Sequence, residues 1–297
     1  MADAGATLTS AVASATARQA VAGVPSPRHD AEVLAAHSLG VDRNDLWRHH
    51  TVGPHFASYV DRRAAREPLQ HITGVAWFRY LTLSVGPGVF VPRPETEVVV
   101  DAVLDALGVG PSPAIGTAGS VGDAPRIVDL CTGSGAIALS VATELPGAQV
   151  WAVELDPAAH AWAERNIAAH RCDPSVQLCL GDMATAFPEL DGLVDVVVSN
   201  PPYIPADAII RDPEVATHDP SVALWSGADG LDAMRVVEQV AARLLRPGGV
   251  VVAEHADLQG VSAPALFSVS GHWLPGADHT DLAGRDRFLT AVRGMMG

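Results

Sequence analysis

Lysine is absent: all 19 basic residues of this 297-residue chain are arginine. Without lysine there can be no Schiff-base nucleophile, no pyridoxal-phosphate anchor and no phosphate-binding GxxxxGK[ST] loop. Cysteine is scarce as well. Cys131, Cys172 and Cys179 form no CxxC pair, which excludes a four-cysteine zinc site and argues against a disulfide framework. Neither HExxH nor GxSxG occurs, so the zinc-peptidase and serine-hydrolase signatures are missing. No apolar run reaches 18 residues, and the opening MADAGATLTSAVASATARQAVAGV is too polar for a secretory core. These absences predict a soluble, cytoplasmic, metal-free protein of a reducing compartment, acting away from membranes.

Positive charge is short too, with 34 acidic side chains against 19 arginines and a formal net charge of −15. The deficit is uneven. Residues 1–80 carry 8 arginines, 7 acids and six of the twelve histidines, whereas residues 81–297 carry 11 arginines against 27 acids. So negative a surface repels a phosphate backbone, which makes nucleic acid a disfavoured partner. The length allows one or two domains, and 48% hydrophobic residues with 49 glycines and prolines is a globular composition.

What is present divides by pattern. The first seventy residues are rich in alanine, and Ala31, Leu34, Ala35 and Leu39 form a stripe of helical period. Pro25 and Pro27 separate a first helix from a second, Gly40 stops the second, and a third covers roughly 54–66. Aromatic and β-branched residues from Trp77 to Val91, around Gly86-Pro87-Gly88, predict a hairpin-like connector. A helix resumes over 95–107, and the Gly/Ser/Pro-rich stretch 109–125 predicts a mobile surface loop. Beyond it, apolar runs at Arg126–Leu130, Gln149–Glu154, Val176–Leu180, Val194–Ser199 and Val250–Glu254 alternate with helical stretches such as 158–170 and 231–245. That alternation predicts an α/β fold with a parallel sheet covered on both faces. Arg246-Pro247-Gly248-Gly249 is expected to turn before the fifth strand. Two further strands, near Ser268–Trp273 and Arg287–Val292, are expected to pair antiparallel. The domains expected are a helical module (1–72), a hairpin connector (73–92) and a catalytic domain (93–297).

Chemistry concentrates at three strand ends. After the first, Asp129-Leu130-Cys131-Thr132-Gly133-Ser134-Gly135 opens a helix. Its glycines let a ligand approach backbone N–H groups. Gly133-x-Gly135-x-x-Ala138, with Glu154 twenty-one residues after Gly133, fits the dinucleotide fingerprint. It equally resembles the D-x-G-x-G-x-G loop of S-adenosylmethionine-dependent methyltransferases, and both readings stay open at this point. Glu154 ends the second strand, where a carboxylate can accept both ribose hydroxyls. Asp182, after the third, can take an adenine amino group or cap a helix N-terminus. The fourth strand delivers Asn200-Pro201-Pro202-Tyr203 to the sheet edge where open α/β folds place ligands. An amide or aryl-amine nitrogen is a poor nucleophile because its lone pair is delocalised. The Asn200 side-chain oxygen and the Pro201 carbonyl can accept its two hydrogens and hold it in line with a methyl sulfonium. Pro201 and Pro202 stiffen the loop, and the Tyr203 ring walls a planar group.

With these residues in view, the chain resembles the release factor glutamine methyltransferases of the HemK/PrmC type. The matching stretches are PLQHITG (68–74), VPRPETE (91–97), DLCTGSGAIALS (129–140), VSNPPYIP (198–205), DPSVALWSGADGLD (219–232), AEH (253–255) and DLAGRDRF (281–288). The resemblance implies an N-terminal helical bundle, a β-hairpin linker and a seven-stranded Rossmann-like methyltransferase domain. It implies methyl transfer from S-adenosylmethionine, leaving S-adenosylhomocysteine, to the glutamine of the Gly-Gly-Gln motif of peptide chain release factors. Carried over by motif, Cys131, Thr132, Gly133, Ser134, Gly135, Glu154, Asp182, Met183 and Asn200 would contact the cofactor. Asn200, Pro201, Pro202 and Tyr203 would hold the glutamine, with Asn200, Pro201 and Tyr203 catalytic; the sequence leaves the oligomeric state open, with a monomer favoured. Two positions depart from the family's pattern: Cys131 stands where glycine is usual, and Met183 where some members have an aromatic residue. Three rivals remain: an adenine- or guanine-nitrogen methyltransferase acting on nucleic acid, a nicotinamide oxidoreductase, and a cofactor-binding scaffold.

Overall fold

A computed structural model describes residues 7–110, 124–172 and 174–295. The surface loop expected over 109–125 lies almost wholly outside these residues. Of the described residues, those in Met1–Val75, Val85–Pro87 and Ile210–His218 form one compact unit, and those in Ala76–Ser84, Gly88–Ile209 and Asp219–Gly297 a second.

The first unit is helical, with α1 (Leu8–Val21), α2 (Pro27–Leu39), α3 (Phe56–Ala64) and the short α4 (Leu69–Thr73). Thr7 caps α1 through its side chain, and Gly40 ends α2 in the left-handed conformation that glycine adopts without strain. Ala31, Leu34 and Ala35 are buried with Ala15, Phe56, Val60 and Ile72 in its core. Inside it, Arg63 and Asp30 are 4% and 7% exposed, and Arg63 Nε donates to Asp30 Oδ2 at 2.7 Å. A second carboxylate, Glu214 Oε1, lies 2.9 Å from Arg63 Nη1. Arg63→Ala would leave Asp30 buried without its cation, a loss of about 3–5 kcal/mol. Urea titration should show this unit unfolding earlier in the variant; an unchanged midpoint would mean the pair is stabilised from elsewhere.

The second unit begins, from Ala76, in a hairpin of β1 (Val75–Phe78) and β2 (Leu81–Ser84). Its turn is Arg79-Tyr80, which corrects the expectation of a hairpin around Gly86-Pro87-Gly88. Arg79 takes φ +49, unfavourable for a non-glycine residue. Tertiary contacts offset this: its guanidinium meets both Glu144 oxygens at 2.6 Å and Asp101 at 2.8 Å. No local turn signal announces an arginine held this way.

The chain continues through α5 (Glu97–Ala106), β3 (Arg126–Leu130), α6 (Ala136–Glu144), β4 (Gln149–Glu154), α7 (Pro157–His170), β5 (Val176–Leu180) and β6 (Val194–Ser199). It then forms the short α8 (Pro213–His218, in the first unit), α9 (Asp232–Leu244), β7 (Leu245–Glu254), α10 (Ser262–Val269), β8 (Ala277–Thr280) and β9 (Asp286–Val292). The seven-stranded sheet runs β5-β4-β3-β6-β7-β9-β8. Its first five strands are parallel, and β9 pairs antiparallel with both β7 and β8. Successive strand residues serve opposite faces. Val196, Val198, Val250 and Val252 pack with α5 and α6, while Val197, Val251 and Ala253 pack with α9 and α10. The helix α9 buries Met234, Val237, Val240, Ala241 and Leu244 along one stripe.

Two strand expectations need correction. The segment read as a strand near Ser268–Trp273 is the end of α10 and the turn after it, because Ala263 and Phe267, four residues apart, bury one helical face. The edge strand is instead the polar Ala277-Asp278-His279-Thr280, which no hydrophobic alternation marks. Arg246–Gly249, expected as a turn, lies within β7 as a bulge: Leu245 pairs with Val194, but Val250 pairs with Val196.

The strand order reverses at β3. That places the turn after β3 and the segment after β6 side by side at the C-terminal edge, where such sheets bind ligands.

Candidate active site

Register brings the two motifs together. Leu130 pairs with Ser199, and the Ser199 hydroxyl donates to the Leu130 carbonyl at 2.8 Å. Asp129 fixes the turn from below, its Oδ2 accepting from the Thr132 hydroxyl (2.6 Å) and the Ala138 N–H (3.2 Å). Burial drives the Asp129 carboxyl up to about 7. At the crest of the turn, a Cβ on Gly133 would meet nothing within 4 Å, so the backbone there faces open space. Cys131 adopts φ +61, where glycine would rest without strain, and burial pushes its thiol pKa upward. Its Sγ lies 3.5 Å from Met183 Sδ. The two positions that depart from the family's pattern therefore touch each other.

Glu154 is buried at the end of β4. Its Oε2 accepts the Gly133 N–H and its Oε1 the Asp156 N–H, both at 2.8 Å. An ionised carboxylate has about four acceptor positions, so one on each oxygen remains for a diol. Asp182 is exposed, and its Oδ1 accepts the Ala184 N–H at 2.9 Å, the turn-capping arrangement. Its charge nonetheless acts on the Cys131 thiol, placing it beside the same turn.

Asn200 leaves β6 on the α5 side, in step with Val196 and Val198. Its Nδ2 donates to the Thr96 hydroxyl at 3.4 Å, which turns the amide nitrogen toward α5 and leaves Oδ1 as the free acceptor. Backbone ties hold the following loop: Ile204 N–H to Leu224 O (2.9 Å), Ser226 N–H to Ile204 O (2.9 Å) and Ala206 N–H to Gly227 O (2.8 Å). Gly230 is required here, because a Cβ on it would sit 2.4 Å from the Tyr203 carbonyl oxygen. Gln259 Nε2 donates to that oxygen at 3.2 Å.

Beneath the loop lies Glu254, 2% exposed. The Tyr203 hydroxyl approaches its Oε1 at 3.5 Å, the Thr96 hydroxyl hydrogen-bonds to its carboxyl, and the Arg287 guanidinium acts on it by charge. Burial dominates and raises Glu254 to about 7, while the Tyr203 phenol moves upward for the same reason. Sequence reasoning quoted the stretches holding Thr96, Gly230, Glu254 and Arg287 but gave these residues no role. Their partners lie on other elements, and only strand parity in β7 hinted that Glu254 shares the face of Asn200.

Asp129 and Glu254 hold their protons to about pH 7 when folded, against ordinary values of 3.8 and 4.5. Both groups thus favour the folded state most at low pH, and the advantage is lost as pH rises to 7, by up to about 1.4 kcal/mol per pH unit each. Asp129→Asn and Glu254→Gln should each melt above the parent chain at pH 8, with the gain shrinking at pH 5. Calorimetry at the two pH values would refute this if the differences matched.

Comparison with known proteins agrees with the geometry. Residues 10–74 match the model for the PrmC N-terminal domain, and residues 120–212 that for the methyltransferase small domain. The release factor glutamine methyltransferase of Streptomyces coelicolor is 54% identical over 290 residues, covering 96% of this chain and 97% of that one. The enzyme of the same name from Mycolicibacterium smegmatis is 47% identical, with 96% and 98% covered. A 4-amino-L-phenylalanine/4-methylamino-L-phenylalanine methyltransferase of Streptomyces pristinaespiralis is 41% identical, with 97% and 95% covered. With a full-length relative above half identity and both family models in sequence, the chain belongs to the release factor glutamine methyltransferase family.

Proposed function

We propose that this protein methylates the side-chain amide nitrogen of the glutamine in the Gly-Gly-Gln motif of peptide chain release factors, with S-adenosylmethionine as donor. The observation that carries the reading is Asn200 at the reversal of strand order, its amide nitrogen engaged by Thr96 and its oxygen free. The donor set suits the cofactor: an open glycine crest at Gly133, a buried carboxylate at Glu154 with acceptor positions to spare, and Asp182 at the rim. Cys131, Thr132, Ser134, Gly135 and Met183 would line the same cradle.

When bound, S-adenosylmethionine supplies an electrophilic methyl on a sulfonium. Glu154 would accept the ribose hydroxyls, and Asp182 the adenine amino group. Asn200 Oδ1 and the Pro201 carbonyl would accept both hydrogens of the glutamine nitrogen and aim it at the methyl. Pro201 and Pro202, lacking N–H groups, leave those carbonyls undiverted, and the Tyr203 ring closes one side of the planar amide. No strong base is needed, because the methylated amide nitrogen is acidic and sheds its proton readily.

The helical module of residues 1–72, joined through the connector 73–92 to the catalytic domain 93–297, would bind the body of the release factor. That remote binding energy is missing from a free glutamine or a short Gly-Gly-Gln peptide, which should be very poor acceptors. The test is tritiated methyl incorporation into release factor, Gly-Gly-Gln peptide, tRNA, DNA and 4-aminophenylalanine side by side. Label in intact release factor alone supports the reading. Label in nucleic acid or in the free aryl amine instead would overturn it.

A further inference from the structure

Glu254 has no place in the chemistry above, yet it is buried directly behind both walls of the amide pocket. It touches one wall through the Thr96 hydroxyl, which in turn accepts Asn200 Nδ2–H at 3.4 Å, and the other at the Tyr203 hydroxyl, 3.5 Å away. Its second oxygen, Oε2, has no hydrogen-bond partner among the described residues. We propose that Glu254 is a positioning residue that sets, through Thr96, which end of the Asn200 side-chain amide faces the substrate nitrogen.

The argument is one of hydrogen-bond polarity. An ionised carboxylate only accepts, so it draws the single Thr96 proton toward itself. The Thr96 oxygen then has only lone pairs to offer Asn200, which must present its NH₂ to Thr96 and its carbonyl oxygen to the pocket. A protonated Glu254 can donate to Thr96 instead. That frees the Thr96 proton for the Asn200 oxygen and turns the Asn200 NH₂ toward the pocket, where it would oppose the hydrogens of the substrate amide. The charges facing Glu254 are Arg287, itself held by Asp281 at 3.1 Å, and Glu95 before α5; the titratable Tyr203 faces it from the loop after β6, with Arg93 acting on that tyrosine. With the carboxyl raised to about 7 by burial, the relay changes direction near neutral pH, and the productive orientation belongs to the alkaline side.

The activity arm rests on the methyl-transfer reading; a spectroscopic arm does not. The chain has three asparagines, Asn44, Asn166 and Asn200, so asparagine-selective ¹⁵N labelling gives three side-chain amide pairs, with Asn200→Ser assigning the third. In the ligand-free protein the Asn200 pair should shift with a midpoint near pH 7. It should stay still in Glu254→Gln and in Thr96→Val, and should still titrate in Asp129→Asn, which removes the other acid of similar pKa. In methyl transfer, Glu254→Gln and Thr96→Val should each lose tenfold or more in kcat with little change in KM for the cofactor. Thr96→Ser should restore it, and the rise in rate through pH 7 should flatten in Glu254→Gln. Activity is read as the ratio of variant to parent on whichever acceptor the parent methylates. Failure on release factor therefore sinks the proposed function and leaves the relay testable. An Asn200 pair that does not titrate in the parent, or titrates equally in Glu254→Gln, overturns the relay; so does an unchanged kcat and pH profile in Glu254→Gln.

Discussion

Replacing Asn200 with alanine is expected to cut turnover on release factor by about 10²-fold or more while leaving the fold and most cofactor binding in place. The loss is of aim and of hydrogen bonds that strengthen as the nitrogen gains positive charge, and 10²-fold corresponds to about 2.7 kcal/mol. The surroundings support a clean effect, because Asn200 is only partly buried and its recorded side-chain hydrogen bond is the long one to Thr96. Asn200→Asp is the sharper comparison, since it retains an acceptor but adds a charge beside Glu254, itself a buried carboxyl. Single-turnover rates at saturating cofactor are the measurement. Near-normal rates in Asn200→Ala would dismiss the amide clamp.

The second large effect is expected at Glu154. Loss of charge-assisted hydrogen bonds to two ribose hydroxyls, worth roughly 1.5–3 kcal/mol each, should weaken S-adenosylmethionine binding well over tenfold in Glu154→Ala. The structure adds a second contribution. The same carboxylate ties the Gly133 N–H to the Asp156 N–H, so its removal also loosens the turn at the crest of the cradle. Glu154→Gln separates the two, since one oxygen can still take a backbone N–H while the charge is gone. Titration calorimetry with S-adenosylmethionine should rank parent, Gln and Ala in that order, with a smaller effect on the rate at saturation. Unchanged affinity in the alanine variant would place the ribose elsewhere.

Four of the parallel strands were legible to the residue, because β3 to β6 are short apolar runs bounded by turn residues, and β3, β4 and β6 are buried at almost every position. The edge strand β8 was not, since Ala277-Asp278-His279-Thr280 carries no apolar run, whereas the opposite edge strand β5 keeps Val176, Leu178 and Leu180. Arg79 and the Arg246–Gly249 bulge were misread for a related reason. Each holds its conformation through side chains far away in sequence, Glu144 and Asp101 for the first and Asp195 for the second. At the site, Asn200, Glu154 and the glycine turn stand out as motifs because their chemistry is local to a strand end. Thr96 and Glu254 matter through a contact made across 158 positions of sequence, which no window on the chain displays.

The first unit takes its last helix, α8, from residues made long after its other helices, and this dictates an order of events during synthesis. Glu214 leaves the ribosome 148 residues behind Arg66, its partner at 2.8–2.9 Å, and 151 behind Arg63. At about 5–20 residues per second, that is a wait of roughly 7–30 s. Throughout it Arg63 has Asp30 available as a carboxylate partner while Glu214 is still to be made. The β6 segment bearing Asn200 emerges just before the missing acid does. The translating chain therefore completes its oldest helical unit only after the asparagine loop has been made, and a stalled or truncated product ending before Glu214 carries an unfinished N-terminal fold.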